Sequence, residues 1–460
     1  DHIYENGGAY DCIWAVGKEY TCYVIYDISD RSVPIENRRI EIEGSSLQTR
    51  LIGNNFYFVC NKWIHSMDTS KDINSYDLLP SYSDTAISEQ KITISPENIY
   101  YCPGDLQNTY LLVGAFDITS DTPCIPDTIL GSGDTIYMNA ENLYIARQNW
   151  LSDSESSGKV TTDIYRFSAN EASLNYTGSG SVDGYIINQY SMDEYNGFFR
   201  IATTSTDSDW NESNNVFILD SSLNIVGSIT DMAPGETIQS VRFDGDTGYV
   251  ITFEQIDPLF VLDLSTPENP SVLGELKIPG FSEYLHPFGD NLLLGIGRHT
   301  SELYSRDEYG NETIEGITDK GLKISIFDVN DPSTPTEISK IVLGSDWNTY
   351  SEVSYNPRSL MTDFEKGIIG VPVCSYDDYT NGEFYGYVLL QIDSDGIESL
   401  ANLGSDTWCD NPRICYIGNY LYLILNDSVM VYNYSNYTLQ NTVNINFAEQ
   451  INEYDVIVCY

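Results

Sequence analysis

The chain is short of positive charge. Its 460 residues carry 22 Lys+Arg against 68 Asp+Glu, a formal charge of −46. A field of that sign repels phosphate, which argues against nucleic acid and against anionic membrane surfaces as partners. Long apolar runs are missing too: no stretch approaches the 18 residues that a membrane-spanning helix needs. Histidine is scarce, with only His2, His65, His286 and His299. There is no Cys-x-x-Cys pair, so zinc ribbons and covalent haem are unsupported. No initiator Met and no signal-like segment precede Asp1, so the chain reads as a mature or trimmed product or as a fragment. The six Trp show no docking pattern of the kind used by quinone-cofactor dehydrogenases.

What is present is a repeat. FVLDLSTPENP places Asp263 after an apolar run and before a Pro-rich turn. YVIYDISDRSVP places Asp27 there, LVGAFDITSDTP Asp117, NVFILDSSLN Asp220, ISIFDVNDPSTP Asp328 and LLQIDSDG Asp393. Two weaker copies carry Phe167 and Asn433. From Asp117 onward the spacings are 50, 53, 43, 65, 65 and 40. A β-branched and aromatic run is a strand, the Asp binds nearby amides to start a turn, and Pro or Gly closes it. A strand-rich repeat of about 40–50 residues is the mark of a propeller blade. Each motif strand follows a hairpin with a Gly-Asn or Gly-Asp type turn, as in RICYIGNYLYLIL.

The expected architecture is all-β: a single eight-bladed β-propeller of four-stranded antiparallel blades, with seven blades as the alternative. The blades are placed at 451–460 with 8–43, then 44–133, 134–184, 185–236, 237–282, 283–349, 350–412 and 413–448. The strand at 451–460 is expected to join the N-terminal blade and close the ring. Cys12 and Cys459 would then face each other as a disulfide; Cys12–Cys22 is the rival pairing. Nine spread cysteines fit disulfides in an oxidising compartment, with buried thiols as the alternative.

Long inserts are expected at 64–108, 150–160, 206–214, 301–321 and 375–383, all between second and third strands and so at one face. They are polar and acidic, which suits a recognition face, cation binding or plain solvation. Calcium is the expected ion, because carboxylates cluster around a Gly in YDDYTNGE (Asp377, Asp378, Glu383) and in DSDGIE (Asp393, Asp395, Glu398); the second also reads as a simple turn. Neither matches the EF-hand spacing. Asn175, Asn211, Asn311, Asn426, Asn433 and Asn436 stand in Asn-x-Ser/Thr sequons that permit glycosylation. His286, in YLHPFG, reads as a structural histidine before a Pro, and no catalytic triad can be argued from spacing.

The segment YVITFEQIDPLFVLDLSTPENPSVLGELKIPGFSEYLHPFGDNLLLGIG closely resembles the secreted beta-propeller domain family of bacteria and archaea, distant relatives of WD40 repeats. GLKISIFDVNDPSTPTEISKIVLGS, EKGIIGVPV, YDISDRSVP and LGSGDTIYMNAENLYIA extend the resemblance over nearly the whole chain. Members usually have a further N-terminal section, which is not seen here. They often carry Asp-His-Lys where this chain has Asn356, Pro357 and Arg358, so any site needing that His is absent. The resemblance implies an exported propeller, often at a cell envelope, and no defined activity. The expected function is a non-enzymatic cell-surface scaffold or binding module, with a protein or glycan partner or self-assembly into a layer or filament. The alternative is a propeller enzyme acting on extracellular glycans.

Overall fold

The computed structural model describes residues 18–64, 78–101, 108–150, 159–207, 209–253, 257–289, 291–306, 312–376, 383–393, 396–409 and 411–445. Their strands form eight sheets, six of four strands and two of five. The chain divides into two compact units, 1–148 with 163–181, and 149–162 with 182–460.

In the first unit the chain order is not a simple meander. Tyr20–Asp27 pairs with Ile35–Glu43, and the chain then leaves to build the hairpin Ser45–Ile52 and Asn55–Trp63 of the second sheet. It returns as Ser81–Asp84 and Ser88–Thr93, which complete the first sheet. Only then do Thr109–Asp117 and Asp127–Leu130 finish the second, with Ile99–Tyr101 added in parallel. Residues 81–93 were expected in an insert of the second blade; they are strands of the first sheet. The cause is a buried polar lock. Arg38 forks onto Asp84, donating from Nε and Nη2 at 3.0 and 2.7 Å. Its guanidinium also donates to the carbonyls of Ser120 and Thr122. Lys62 reaches Glu43 at 2.8 Å and the carbonyls of Leu78 and Leu79.

The second unit is regular. Met192–Tyr195, Phe198–Thr206, Glu212–Leu219 and Ile225–Met232 form one antiparallel sheet. Thr237–Asp244, Thr247–Phe253, Asp257–Asp263 and Ser271–Ile278 form the next. The third is Phe281–Phe288, Leu292–Arg306, Glu312–Asp328 and Thr336–Leu343. Its expected insert at 301–321 is largely strand, because the central hairpin stays paired as far as Arg306 and Glu312. Then come Thr349–Tyr350, Ile368–Ser375, Phe384–Asp393 and Gly396–Ser405, with Met361–Asp363 alongside, and finally Arg413–Ile417, Tyr420–Ile424, Ser428–Asn433 and Leu439–Asn444.

Neighbouring sheets in each unit bury apolar faces against one another. Ile324, Val371 and Val388 belong to one such core, and Val216, Val250 and Leu262 to another. The motif carboxylates do what the repeat implied. Asp117, Asp220, Asp263 and Asp328 each accept the amide two residues on, at 2.7–2.9 Å, and Asn433 does the same for Ser435.

The segments that a ring closure would need, 1–17 and 446–460, lie outside the described residues, as do Cys12 and Cys459. No disulfide joins any of the six described cysteines. Cys60 and Cys124 are buried, and burial pushes their thiols up to about 11 and about 12. Among the described residues no helix is long and apolar enough to cross a membrane.

Candidate functional site

Each regular sheet is an antiparallel meander, so its connections alternate between two ends. The turn after the third strand leaves from one end. The second-to-third connection and the exit of the fourth strand leave from the other. Both ends carry Asp residues that accept turn amides; among the described residues the tryptophans fall at the second of these ends of their sheets.

The third-strand end carries the motif Asp residues, whose carboxylates are absorbed in turns. Asp263 is held below the usual carboxylate range by the Ser265 hydroxyl and amide. Asp393 ends Phe384–Asp393 and pairs with Gly396, whose φ of +133° suits only a glycine. Glu398 follows, exposed, on the next strand. Glu383 precedes the same ten-residue strand at its start. At about 3.3 Å per residue, Glu383 and Asp393 lie about 30 Å apart, so the two carboxylate clusters cannot share one ion. Asp377, Asp378 and Asp395 lie outside the described residues. Among the described residues no group of three or more His, Cys, Asp or Glu is placed to hold a metal.

The other end carries tryptophan. All five described Trp are more than half exposed: Trp63 60%, Trp150 63%, Trp210 68%, Trp347 71% and Trp408 53%. Trp is among the most buried residue types on average, so five in a row outside the core is a signal. Trp63 and Trp150 end the second strands Asn55–Trp63 and Asn142–Trp150. Trp210 lies in a second-to-third connection. Trp347 and Trp408 follow the fourth strands Thr336–Leu343 and Gly396–Ser405. Every one stands at the same end of its own sheet.

These tryptophans sit on ordered backbone. At Trp347 the buried Arg298 donates to the carbonyls of Asp346 and Thr349 at 3.2 and 2.5 Å. Asp346 accepts the Asn348 amide at 2.8 Å, and Tyr376 donates its amide to Asn348. At Trp210, Asp207 accepts the amides of Asp209 and Asn211. The loop holds Trp210 at a φ of +65°, a left-handed conformation that a bulky side chain rarely adopts. Trp150 stacks on Tyr185 with ring centres 6.5 Å apart.

The sequence held a signal for this surface that composition alone missed. Ser208–Asn211 and Ser345–Asn348 both read Ser-Asp-Trp-Asn, and Trp408 follows Ser-Asp-Thr. Such Trp lie among turn formers, outside the apolar strand runs.

His286 does not assemble into catalytic machinery. It is half-buried on Phe281–Phe288, shares a 2.8 Å hydrogen bond with the Tyr284 hydroxyl and stacks on Phe364. Burial, with the Arg242 guanidinium nearby, pulls it down to about 4, so it is neutral at neutral pH. The two carboxylates beside the Glu352–Ser354 turn have other tasks. Glu283 accepts from the Ser354 hydroxyl and is raised by burial. Glu352 is clamped by Arg413 at 2.6 and 2.7 Å and by Asn356. Asn356, Pro357 and Arg358 thus stand in a structural turn. A cavity of about 230 Å³ lined by Tyr195, Arg200, Asp246 and Ser265 contains neither His286 nor a carboxylate pair. His299 is half-buried, and His2 and His65 lie outside the described residues.

Among the sequons, Asn175, Asn211, Asn426 and Asn436 are exposed, Asn433 is half-buried, and Asn311 lies outside the described residues.

A family model described as a beta propeller domain matches residues 4–437. An uncharacterized protein of Archaeoglobus fulgidus is 37% identical over 292 residues, 64% of this chain and 40% of that protein. One of Methanocaldococcus jannaschii is 46% identical over 172 residues, 37% of this chain and 25% of that protein. The chain therefore matches less than half the length of either relative. Among solved structures, the periplasmic gluconolactonase of Pseudomonas aeruginosa aligns at 12% identity over 75% of this chain and 94% of its own, with a TM-score of 0.41. BamB from Moraxella catarrhalis aligns at 13% identity over 67% and 87%, with a TM-score of 0.32. Scores at that level carry no argument about activity.

Proposed function

The chain belongs to the beta propeller domain family, and from that premise we propose that it is a non-enzymatic binding module or scaffold displayed at the cell surface. Its working surface is the tryptophan-bearing end of the sheets of its second unit. The observation that carries this reading is the exposure of Trp210, Trp347 and Trp408, each at that end of its own sheet. Trp contributes large, rigid contact area, and the tightest contacts in interfaces centre on it. Export is supported by the resemblance of the repeat to secreted propellers. Calcium at the acidic connections is part of the same proposal, and its support is the carboxylate content of the sequence alone.

Binding is tested on immobilised neutral glycans, basic peptides and acidic peptides, with the wild type and the triple variant W210A/W347A/W408A. Retention on at least one class that falls about tenfold or more in the variant, with no product released, is the expected result. Equal retention of both proteins on every class, or turnover of a glycan, would overturn it.

A further inference from the structure

The exposed Trp residues have a charge environment that narrows the partner. Asp207 and Asp209 precede Trp210, Asp346 adjoins Trp347, and Asp406 lies two residues before Trp408. Asp207, Asp209 and Asp406 are exposed. No Lys or Arg occurs in 206–212, 344–350 or 405–412. Among the described residues two guanidinium groups reach these loops, and both are engaged: Arg298 is buried and spends its donors on backbone carbonyls and Asp319, and Arg413 donates to the Pro412 carbonyl and clamps Glu352. An indole face with carboxylates beside it is an environment that attracts positive charge. The ring quadrupole and the carboxylates act in the same direction.

We propose that the tryptophan-bearing end, read above as the working surface, recognises a cationic partner: an Arg- or Lys-rich protein segment whose side chains stack on Trp210, Trp347 and Trp408 and pair with the adjoining Asp carboxylates. The reading rests on the binding-module function and adds the chemistry of its partner. Two other occupants fit less well. A second copy of the chain would bring another −46 charge to the same place, and like-charged surfaces repel. A neutral glycan would use the indole faces and leave the carboxylates without a matching charge.

Net charge alone draws any basic peptide, so the test must separate this end from the rest of the surface. The opposite end supplies the control. Asp220, Asp263 and Asp328 of the same unit are turn carboxylates, and Asn already fills the equivalent place at Asn433. Replacing these three by Asn removes three charges and keeps the turns.

Fluorescence anisotropy of a labelled peptide of four Arg-Gly-Ser repeats would be titrated with the wild type, with W210A/W347A/W408A and with D220N/D263N/D328N. A Glu-Gly-Ser peptide and neutral oligosaccharides serve as comparators. The Trp variant should bind the Arg peptide about five- to twentyfold more weakly, while the Asn variant stays within about twofold. Going from 50 to 500 mM salt should weaken wild-type binding about tenfold. Equal weakening in the two variants would reduce the interaction to net charge and overturn the proposal. Trp-dependent binding of a neutral oligosaccharide without the Arg peptide would overturn the cationic partner and leave the binding module standing. No Trp-dependent binding of any probe would overturn both. Circular dichroism of each variant shows whether it is folded. If the triple variant is not, W347A alone, on a surface loop, replaces it, with a loss of about threefold expected and no loss counting against the proposal.

Discussion

Removing the Asp84 carboxylate should show whether the interleaved first sheet is real. Arg38 and Asp84 are both buried, and the fork between them joins strands 46 residues apart. In Asp84→Ala, Arg38 keeps its bonds to the carbonyls of Ser120 and Thr122 and loses both bonds to its counter-charge. The amides of Cys124 and Ala86, which donate to the same carboxylate at 2.9 and 3.0 Å, lose their acceptor. Breaking a buried pair from one side costs about 3–5 kcal/mol, and the abandoned amides push the loss toward the upper end. With a urea slope of about 2–3 kcal/mol per molar, the unfolding midpoint should fall by about 1–2 M. Arg38→Met with Asp84→Leu leaves no orphaned charge and should recover most of the loss, since apolar replacement of a buried pair is close to neutral. Acid has the same target. Burial would raise the Asp84 carboxyl, but the Arg38 fork and the two amides outweigh it and hold it low. Its contribution is present above the unfolded carboxyl range and is lost as pH falls through the depressed folded value. A midpoint for Asp84→Ala indistinguishable from wild type would refute the pairing of 81–84 with 35–43.

Other outcomes follow from the same contacts. The His286 imidazole should titrate by NMR near 4; because the unfolded chain takes up that proton near 6.5, its linkage should lower stability as pH falls from about 6.5 to about 4, and a midpoint near 6.5 would contradict the buried environment. Gly386→Ala would drive a Cβ into the Leu403 carbonyl oxygen and should cost about 1–3 kcal/mol by urea unfolding, whereas an unchanged midpoint would mean that the strands are not in this register. Arg298→Met should leave the Trp347 loop less ordered, seen as a loss of fluorescence anisotropy at a single retained Trp347; unchanged anisotropy would count against the Arg298 brace. Adding calcium after EDTA should raise the melting temperature saturably if the acidic connections hold the ion, and no shift beyond that of matched ionic strength would remove calcium from the proposal.

Much of this was legible in the sequence, and the failures have physical causes. From Asp117 onward the Asp-turn motif located third strands correctly, because a carboxylate two residues from an amide is a local device that needs nothing distant; Asp27 instead ends the first described strand of its sheet. The first two sheets were misread for the opposite reason. Asp27 and Asp117 stand 90 positions apart, enough for two sheets, and what assigns 81–93 to the earlier one is a contact between Arg38 and Asp84 that no local pattern reveals. The polar residues of 301–321 break the apolar run and predict an insert, yet a hairpin can run on as strand once its base is paired. The acidic connections drew attention by composition. The Trp beside them did not, although Ser-Asp-Trp-Asn occurs twice, because a single aromatic among polar residues is invisible to a search for core periodicity.

The most direct measurement is quenching of intrinsic Trp fluorescence by caesium and by iodide, at low and high salt. The account predicts red-shifted emission, efficient quenching by caesium and weak quenching by iodide, with the difference shrinking as salt screens the Asp carboxylates. Blue-shifted emission resistant to both ions would mean that the Trp are buried, and equal quenching by both at low salt would mean that they stand in no negative field; the first contradicts the working surface and the second its cationic partner.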